Sequence, residues 1–282
     1  MRANSTWWKA GVVAALLTAI VYGDPITIFR DDFTGDTPGS DPGPPPVGQP
    51  WQITKAAPDG VRVAADPLNA QNQVLAFGRY RNTATLPLSP TDQQTIQQAR
   101  AVTLAFQYLA APASGPTGFF DIGGYAGSDP TFFLRVQPDE IPGVPGMHSV
   151  SYLKPGGGLA DTGLDLSATA AQSVEVASDF VSHTYKVTIA GSSTTLPMYV
   201  CSDTVEQVRF SNYSVALGSG LMDDVDVTVP ASTRLGAPGI KSPEPAPAVM
   251  LLAGGVVVAL GWLVTAWRSR KISRYKPLTS RE

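Results

Sequence analysis

Val102-Thr103-Leu104-Ala105-Phe106-Gln107-Tyr108 sets a large apolar side chain at every second position. Successive side chains of an extended strand point to opposite faces, so this period of two predicts a half-buried β-strand. The same period recurs in 173–176 (SVEV), 185–189 (YKVTI) and 225–229 (VDVTV). Shorter β-rich runs lie at 26–29, 61–64, 74–77, 119–122, 132–136, 149–153, 196–200 and 205–213, and Gly, Pro, Asn or Asp separates most of them. About a dozen short strands within residues 24–234 predict an all-β, two-sheet sandwich in a single domain. One helix or helical turn is predicted at 89–100 (SPTDQQTIQQAR), with Ser89 as N-cap, Pro90 in the first helical position and Asp92 in the first turn. It has almost no apolar face and reads as a surface connector.

Composition supports a turn-rich sheet protein. The 282 residues include 25 Pro and 27 Gly, about 18% together, above the roughly 12% of average proteins and below the 25–30% of low-complexity chains. Apolar residues make up 43% and charged residues 15%, which excludes a disordered chain or a coiled coil. The single Cys, Cys201, excludes a disulfide framework and multi-Cys metal motifs, and it reads as a buried small apolar residue at the end of a strand. His148 and His183 are the only two His, too few for a three-His zinc site.

The net charge of −3 hides a regional split. Residues 24–247 carry 12 Lys and Arg against 22 Asp and Glu, a net charge near −10. A nucleic-acid binder needs the opposite sign. Of the 23 acidic residues 18 are Asp, a residue equally suited to turns and to hard cations.

Both ends read as addresses. Residues 1–23 have the form of a signal peptide: Arg2 and Lys9, then the uncharged run 10–22 (AGVVAALLTAIVY), then small residues suited to cleavage after Gly23. Residues 248–267 (AVMLLAGGVVVALGWLVTAW) are 20 residues without a charge, about 30 Å as a helix and so long enough to cross a bilayer. The tail, 268–282, carries six Lys and Arg against Glu282 alone, which predicts a cytoplasmic C-terminus. Residues 36–50 (DTPGSDPGPPPVGQP) read as an extended surface loop, and 235–247 (LGAPGIKSPEPAP) as a semi-rigid stalk.

Pro243-Glu244-Pro245, followed by the apolar run and the basic cluster, resembles the PEP-CTERM sorting signal of bacterial surface proteins. That resemblance implies export, processing by an exosortase-type enzyme and delivery to the cell surface or extracellular matrix. The tail past Lys271 is longer than such signals usually carry, which keeps a plain single-pass anchor open.

Asp31-Asp32-Phe33, Gly48-Gln49-Pro50-Trp51 and Met222-Asp223-Asp224-Val225-Asp226-Val227 together resemble the exported concanavalin A-like (LamG-type) jelly rolls. In that family the first and last strands pair. The resemblance implies a jelly-roll sandwich and, more loosely, binding of carbohydrate or matrix. It also brings Asp31 or Asp32 toward Asp223, Asp224 or Asp226, with Asp32 and Asp224 as candidate ligands of a structural calcium ion. These carboxylates equally suit loop amides or solvent.

Catalytic motifs are missing from the sequence. Glucanases of this fold carry E-x-D-x-x-E on one strand, and the exported Glu residues here, Glu140, Glu175, Glu206 and Glu244, are scattered. There is no G-x-S-x-G, no H-E-x-x-H and no Walker loop. Pro155-Gly156-Gly157-Gly158 lacks the Lys and helix of a phosphate cradle and reads as a hairpin loop. No catalytic residue is expected. The expected work is non-catalytic binding of extracellular polysaccharide or matrix, with a purely structural surface protein and a divergent glycoside-active enzyme as alternatives. Tyr80, Tyr125, Tyr152 and Tyr213 are the aromatic candidates for stacking on sugar rings.

Overall fold

A computed structural model describes residues 24–56, 60–78, 81–109, 118–138, 146–213 and 220–231. The chain divides into two units, Met1–Thr233 and Arg234–Glu282, and the described residues all belong to the first. The expected signal peptide, stalk with its Pro243-Glu244-Pro245 motif, membrane segment at 248–267 and basic tail lie outside the described residues.

Among the described residues, fifteen strands form two antiparallel sheets. The eight-stranded sheet holds β1 (Ile26–Asp31), β3 (Val61–Ala65), β4 (Gln73–Phe77), β6 (Ala101–Leu109), β11 (Gln172–Asp179), β12 (Thr184–Ile189), β13 (Ser192–Pro197) and β15 (Gly220–Val229). Its order is β13-β12-β11-β6-β15-β4-β3, with β1 also paired to β15. The seven-stranded sheet holds β2 (Gln52–Thr54), β5 (Asn82–Pro87), β7 (Phe120–Ala126), β8 (Asp129–Pro138), β9 (Met147–Leu153), β10 (Leu159–Ser167) and β14 (Gln207–Asn212), in the order β10-β9-β8-β7-β14-β5-β2. Neighbours across each sheet are often far apart in sequence, as β6 beside β15 and β7 beside β14.

The period-two reading of 102–108 holds: Val102, Leu104, Phe106 and Tyr108 of β6 are all buried. The core between the sheets is linked by aromatic pairs that reach from one sheet to the other. Phe106 of β6 meets Phe210 of β14 edge-on at 5.4 Å, and Phe77 of β4 meets Phe120 of β7 at 4.9 Å. Tyr108 lies 5.2 Å from Phe120, and Tyr185 of β12 lies 5.9 Å from Phe132 of β8. Each such pair contributes on the order of 1 kcal/mol beyond its area burial.

The helix is where its caps predict it. α1 (Pro90–Ala99) starts with a reciprocal capping box in which Ser89 Oγ accepts from the Asp92 N–H and Asp92 accepts from the Ser89 N–H. Arg100, in a left-handed conformation, ends it. One buried side chain, Ile96, attaches it to the core. The Gly-rich run 156–158 is the β9–β10 hairpin loop. Cys201 departs from expectation. β13 stops at Pro197, the chain leaves the sheet, and the thiol is exposed.

Candidate functional site

The first and last strands do pair: Ile26 stands opposite Val229 and Asp31 opposite Val225. β15 changes partner along one edge, meeting β4 over Gly220–Met222 and β1 from Val225 onward. The step between falls at Asp223-Asp224, where the register against β6 shifts by a bulge. Asp224 has φ +50° and is exposed. It is the extra residue that lets Met222 and Val225, three apart, both point inward and be fully buried. Asp tolerates this left-handed geometry better than most side chains. The Asp224 N–H donates to Asp223 Oδ1 at 2.8 Å, and Asn72 donates to Asp223 Oδ2 at 2.6 Å, so the Asp223 carboxylate pins the bulge.

Asp32 and Asp224 are the next residues beyond the last paired rung, which brings both candidate ligands to the same end of the β1–β15 ladder. Each has a local duty, however. Asp32 Oδ1 accepts the Thr34 N–H at 3.0 Å, and Asp224 forms the bulge. Calcium takes about six to eight oxygens, and among the described residues no three His, Cys, Asp or Glu side chains gather into a group that could hold a metal. Asp226 pairs with Arg30 at 2.7 Å on the surface. Asp31 turns inward and bonds Trp51. The D-D-F, G-Q-P-W and D-D-V-D positions therefore build the closure of the sandwich.

On the outer face of the eight-stranded sheet, Asp66, Val74, Gln107, Leu109, Ala171, Leu221 and Asp223 line a groove of about 180 Å³. Burial pushes the Asp223 carboxyl above the usual range, and the donor Asn72 opposes this. Two carboxylates in one groove invite comparison with a glycosidase pair. Ligand clefts usually measure about 300–1,000 Å³, however, and Asp66 Oδ1 is already held by the Leu68 N–H at 2.8 Å.

The outer face of the seven-stranded sheet is different in kind. Along β14, Val208 and Phe210 point inward, so Arg209 and Ser211 point outward, with Tyr213 continuing that row. Across from them stand Gly123 and Asp121 of β7, then Phe133 and Arg135 of β8. The lack of a side chain at Gly123 lets the Tyr125 ring lie back over it, since a Cβ there would come within 2.7 Å of Tyr125 Cε2. Arg209, the cross-strand neighbour of Gly123, thereby sets its guanidinium 4.4 Å from the centre of the Tyr125 ring. Burial raises the Tyr125 hydroxyl above its ordinary value, an effect that nearby Arg209 opposes.

A second cluster adjoins it. Phe119 stacks on Tyr213 at 4.7 Å with an interplanar angle of 27°. The Arg135 guanidinium lies 3.6 Å from the Phe119 ring centre and grips Asp121 with two bonds, of 2.7 and 2.8 Å. Burial pushes the Asp121 carboxyl up and the two bonds from Arg135 pull it down. Arg81 lies 5.7 Å from the Tyr213 ring. Thr83 and Ser211 share a hydroxyl contact of 3.0 Å beside this group. The face thus offers rings, guanidinium forks and hydroxyls together, a set that can pack against the apolar side of a sugar and bond its oxygens.

Of the four aromatic candidates, the structure brings Tyr125 and Tyr213 to this face. Tyr152 packs partly buried against the core, and Tyr80 lies outside the described residues. Sequence reasoning missed Arg209, Arg135, Asp121 and Phe119. The period-two phase of 205–213 was the one signal that could have set Arg209 and Tyr213 on a common face.

No family model and no curated protein matches this sequence. Among solved structures it is similar to a sialidase, at 14% identity and TM-score 0.47, over 65% of this chain and 17% of that one. It is also similar to a carbohydrate esterase of the Shiga toxin-encoding bacteriophage phi24B, at 11% identity and TM-score 0.46, over 64% of this chain and 90% of that one. A third is the binding domain of botulinum neurotoxin DC in complex with SialylT, at 8% identity and TM-score 0.48, over 72% of this chain and 47% of that one. The chain thus spans less than a fifth of the sialidase.

Proposed function

We propose that this protein is a non-catalytic binder of extracellular polysaccharide and that the outer face of the seven-stranded sheet is its binding surface. The observation that carries this is the Tyr125 ring laid over Gly123 beside the Arg209 guanidinium. Glycine at the middle of a strand weakens it, and here the space it leaves is filled by a ring that remains partly exposed at the surface. The β1–β15 pairing supports a jelly-roll arrangement of the sandwich. The terminal segments support delivery of the domain to the outside of a bacterial cell, with residues 248–267 as anchor or sorting helix and Pro243-Glu244-Pro245 as the exosortase motif.

The test is a polysaccharide array probed with the full-length chain, with added calcium and with chelator. Saturable binding to a glycan class, weakened at least several-fold by Tyr125→Ala in a variant that still folds, is the expected result. A folded protein that binds none of the array, or binding untouched by Tyr125→Ala, would overturn the assignment and favour a structural matrix role. Loss of binding in chelator would add a calcium ion to the account.

A further inference from the structure

The charges on the binding face run against those of the domain around it. Residues 24–247 are strongly acidic, with 22 acidic against 12 basic side chains. Yet Arg81, Arg135 and Arg209 gather on the β8-β7-β14-β5 part of one face, where the carboxylate Asp121 is already neutralised by Arg135, while Asp161 and Asp165 of the same face stand apart on the edge strand β10. Glu206, next to this face in sequence, turns its carboxylate to the Gly127 N–H at 2.9 Å. Among the described residues neither Arg209 nor Arg81 forms an ion pair. Each instead rests against a tyrosine ring, which restrains the guanidinium and leaves its N–H fork available. A neutral sugar needs no such pair of cations.

We propose that the ligand is an acidic polysaccharide, bearing carboxylate or sulfate groups, whose anions are held by Arg209 and Arg81. This rests on the polysaccharide-binding role of the same face. Arg209 and Tyr213 are four residues apart along one extended run, roughly 13 Å at about 3.3 Å per residue. Successive acidic units of a polymer can meet cations carried on positions so spaced. The guanidinium fork suits carboxylate and sulfate alike, because both offer two oxygens to parallel N–H groups. The wider negative charge of the domain does not forbid this. At physiological salt the Debye length is about 8 Å, so carboxylates elsewhere on the sandwich act weakly at this patch. The Thr83 hydroxyl, on β5 beside β14, adds a neutral group for sugar oxygens at this patch.

The experiment measures binding of the full-length chain to alginate, dextran sulfate and unmodified dextran. Variants Arg209→Gln and Arg81→Gln are compared with Lys186→Gln, an equal charge change at an exposed position of β12 on the other sheet. Expected is binding to alginate or dextran sulfate, with dextran bound at least tenfold more weakly. Each arginine variant should lose about tenfold in affinity, the usual scale for a charge-assisted hydrogen bond, and Lys186→Gln should lose nothing. Binding to alginate alone assigns carboxylate, and to dextran sulfate alone, sulfate. Equal binding to dextran, or arginine variants that behave like Lys186→Gln, overturns the acidic ligand and leaves the polysaccharide role standing. Failure to bind these three, together with a silent array, overturns both. Thermal unfolding of each variant separates lost binding from lost fold.

Discussion

The indole N–H of Trp51 donates to Asp31 Oδ2 over 2.8 Å, and both residues are buried. The other oxygen of the same carboxylate accepts the Phe33 N–H at 3.0 Å. Phe33, fully buried with φ +54°, turns the chain out of β1 in a conformation that bulky residues avoid. Trp51 meets Phe29 edge-on at 5.3 Å and lies 6.1 Å from Phe210. One carboxylate therefore ties the end of the first strand to a ring that spans the two sheets.

Replacing Asp31 with Asn keeps the shape but offers one acceptor and one donor where two acceptors are used. One buried N–H then faces another donor. Asp31→Asn should destabilise the domain by about 1–3 kcal/mol, the cost of a buried unsatisfied polar group, read from the urea midpoint at pH 7. A change below the error of that measurement would mean that the pair contributes little.

The same carboxyl makes a pH prediction. Burial holds Asp31 above the ordinary carboxylate range, with the Trp51 and Phe33 donors opposing. In the unfolded chain it loses its proton near pH 3.9. Between that pH and its own raised value the native state binds more protons than the unfolded state. Stability contributed by this group is thus present below about pH 4 and falls as pH rises through the raised value. Asp121 and Asp223, also raised by burial, act in the same direction. The stability margin of wild type over Asp31→Asn should therefore shrink between pH 4 and pH 7, as urea titrations at several pH values would show. A growing margin would mean that the two donors outweigh burial.

Asp224 separates the bulge from a metal role. Asp224→Gly should hold or slightly raise the thermal midpoint, because glycine reaches φ +50° without the cost of about 1–2 kcal/mol borne by other residues. Asp224→Val should lower it. If calcium raises the midpoint of wild type and not of Asp224→Gly, Asp224 is a ligand as well.

Two adjacent glycines should respond oppositely. A methyl group at Gly124 would clash with the Phe132 ring inside the core, so Gly124→Ala should cost about 1–3 kcal/mol or more. At Gly123 the clash is with the outer end of Tyr125. That side chain can swing away, so Gly123→Ala should weaken glycan binding while leaving the unfolding midpoint nearly unchanged.

Cys201 is exposed and is the only cysteine. A maleimide should label it in the folded protein without denaturant, and mild oxidation should give a covalent dimer absent from Cys201→Ser. Labelling only after unfolding would contradict the exposed position.

Local pattern alone carried much of the fold. Alternation in 102–108 identified β6, the Ser89-Pro90 start identified α1, and the Gly-rich run at 156–158 marked a hairpin loop. These are short-range effects: side-chain direction repeats every two residues in a strand, and a cap bonds the first turn beside it. β5 and β10 escaped notice because their runs, NTATLP and LADTGLDLS, mix polar and small residues that packing alone sorts into faces. Asp224 lies at the β1–β15 end, yet the bulge it forms appears only when β15 must serve β4 and β1 on one edge.

The sequence by itself determined the class of the domain and its acidic charge, because composition and period need no partner to be read, whereas the pairing of its ends was implied only by the family resemblance and is made by the β1–β15 ladder. Tertiary structure alone decided the candidate site. Arg81, Phe119, Tyr125, Arg135, Arg209 and Tyr213 come from separate parts of the chain, and only the β8-β7-β14-β5 order brings them onto one face. The spacing that makes them a surface lies across strands, where hydrogen-bonded neighbours sit about 5 Å apart whatever their distance in sequence.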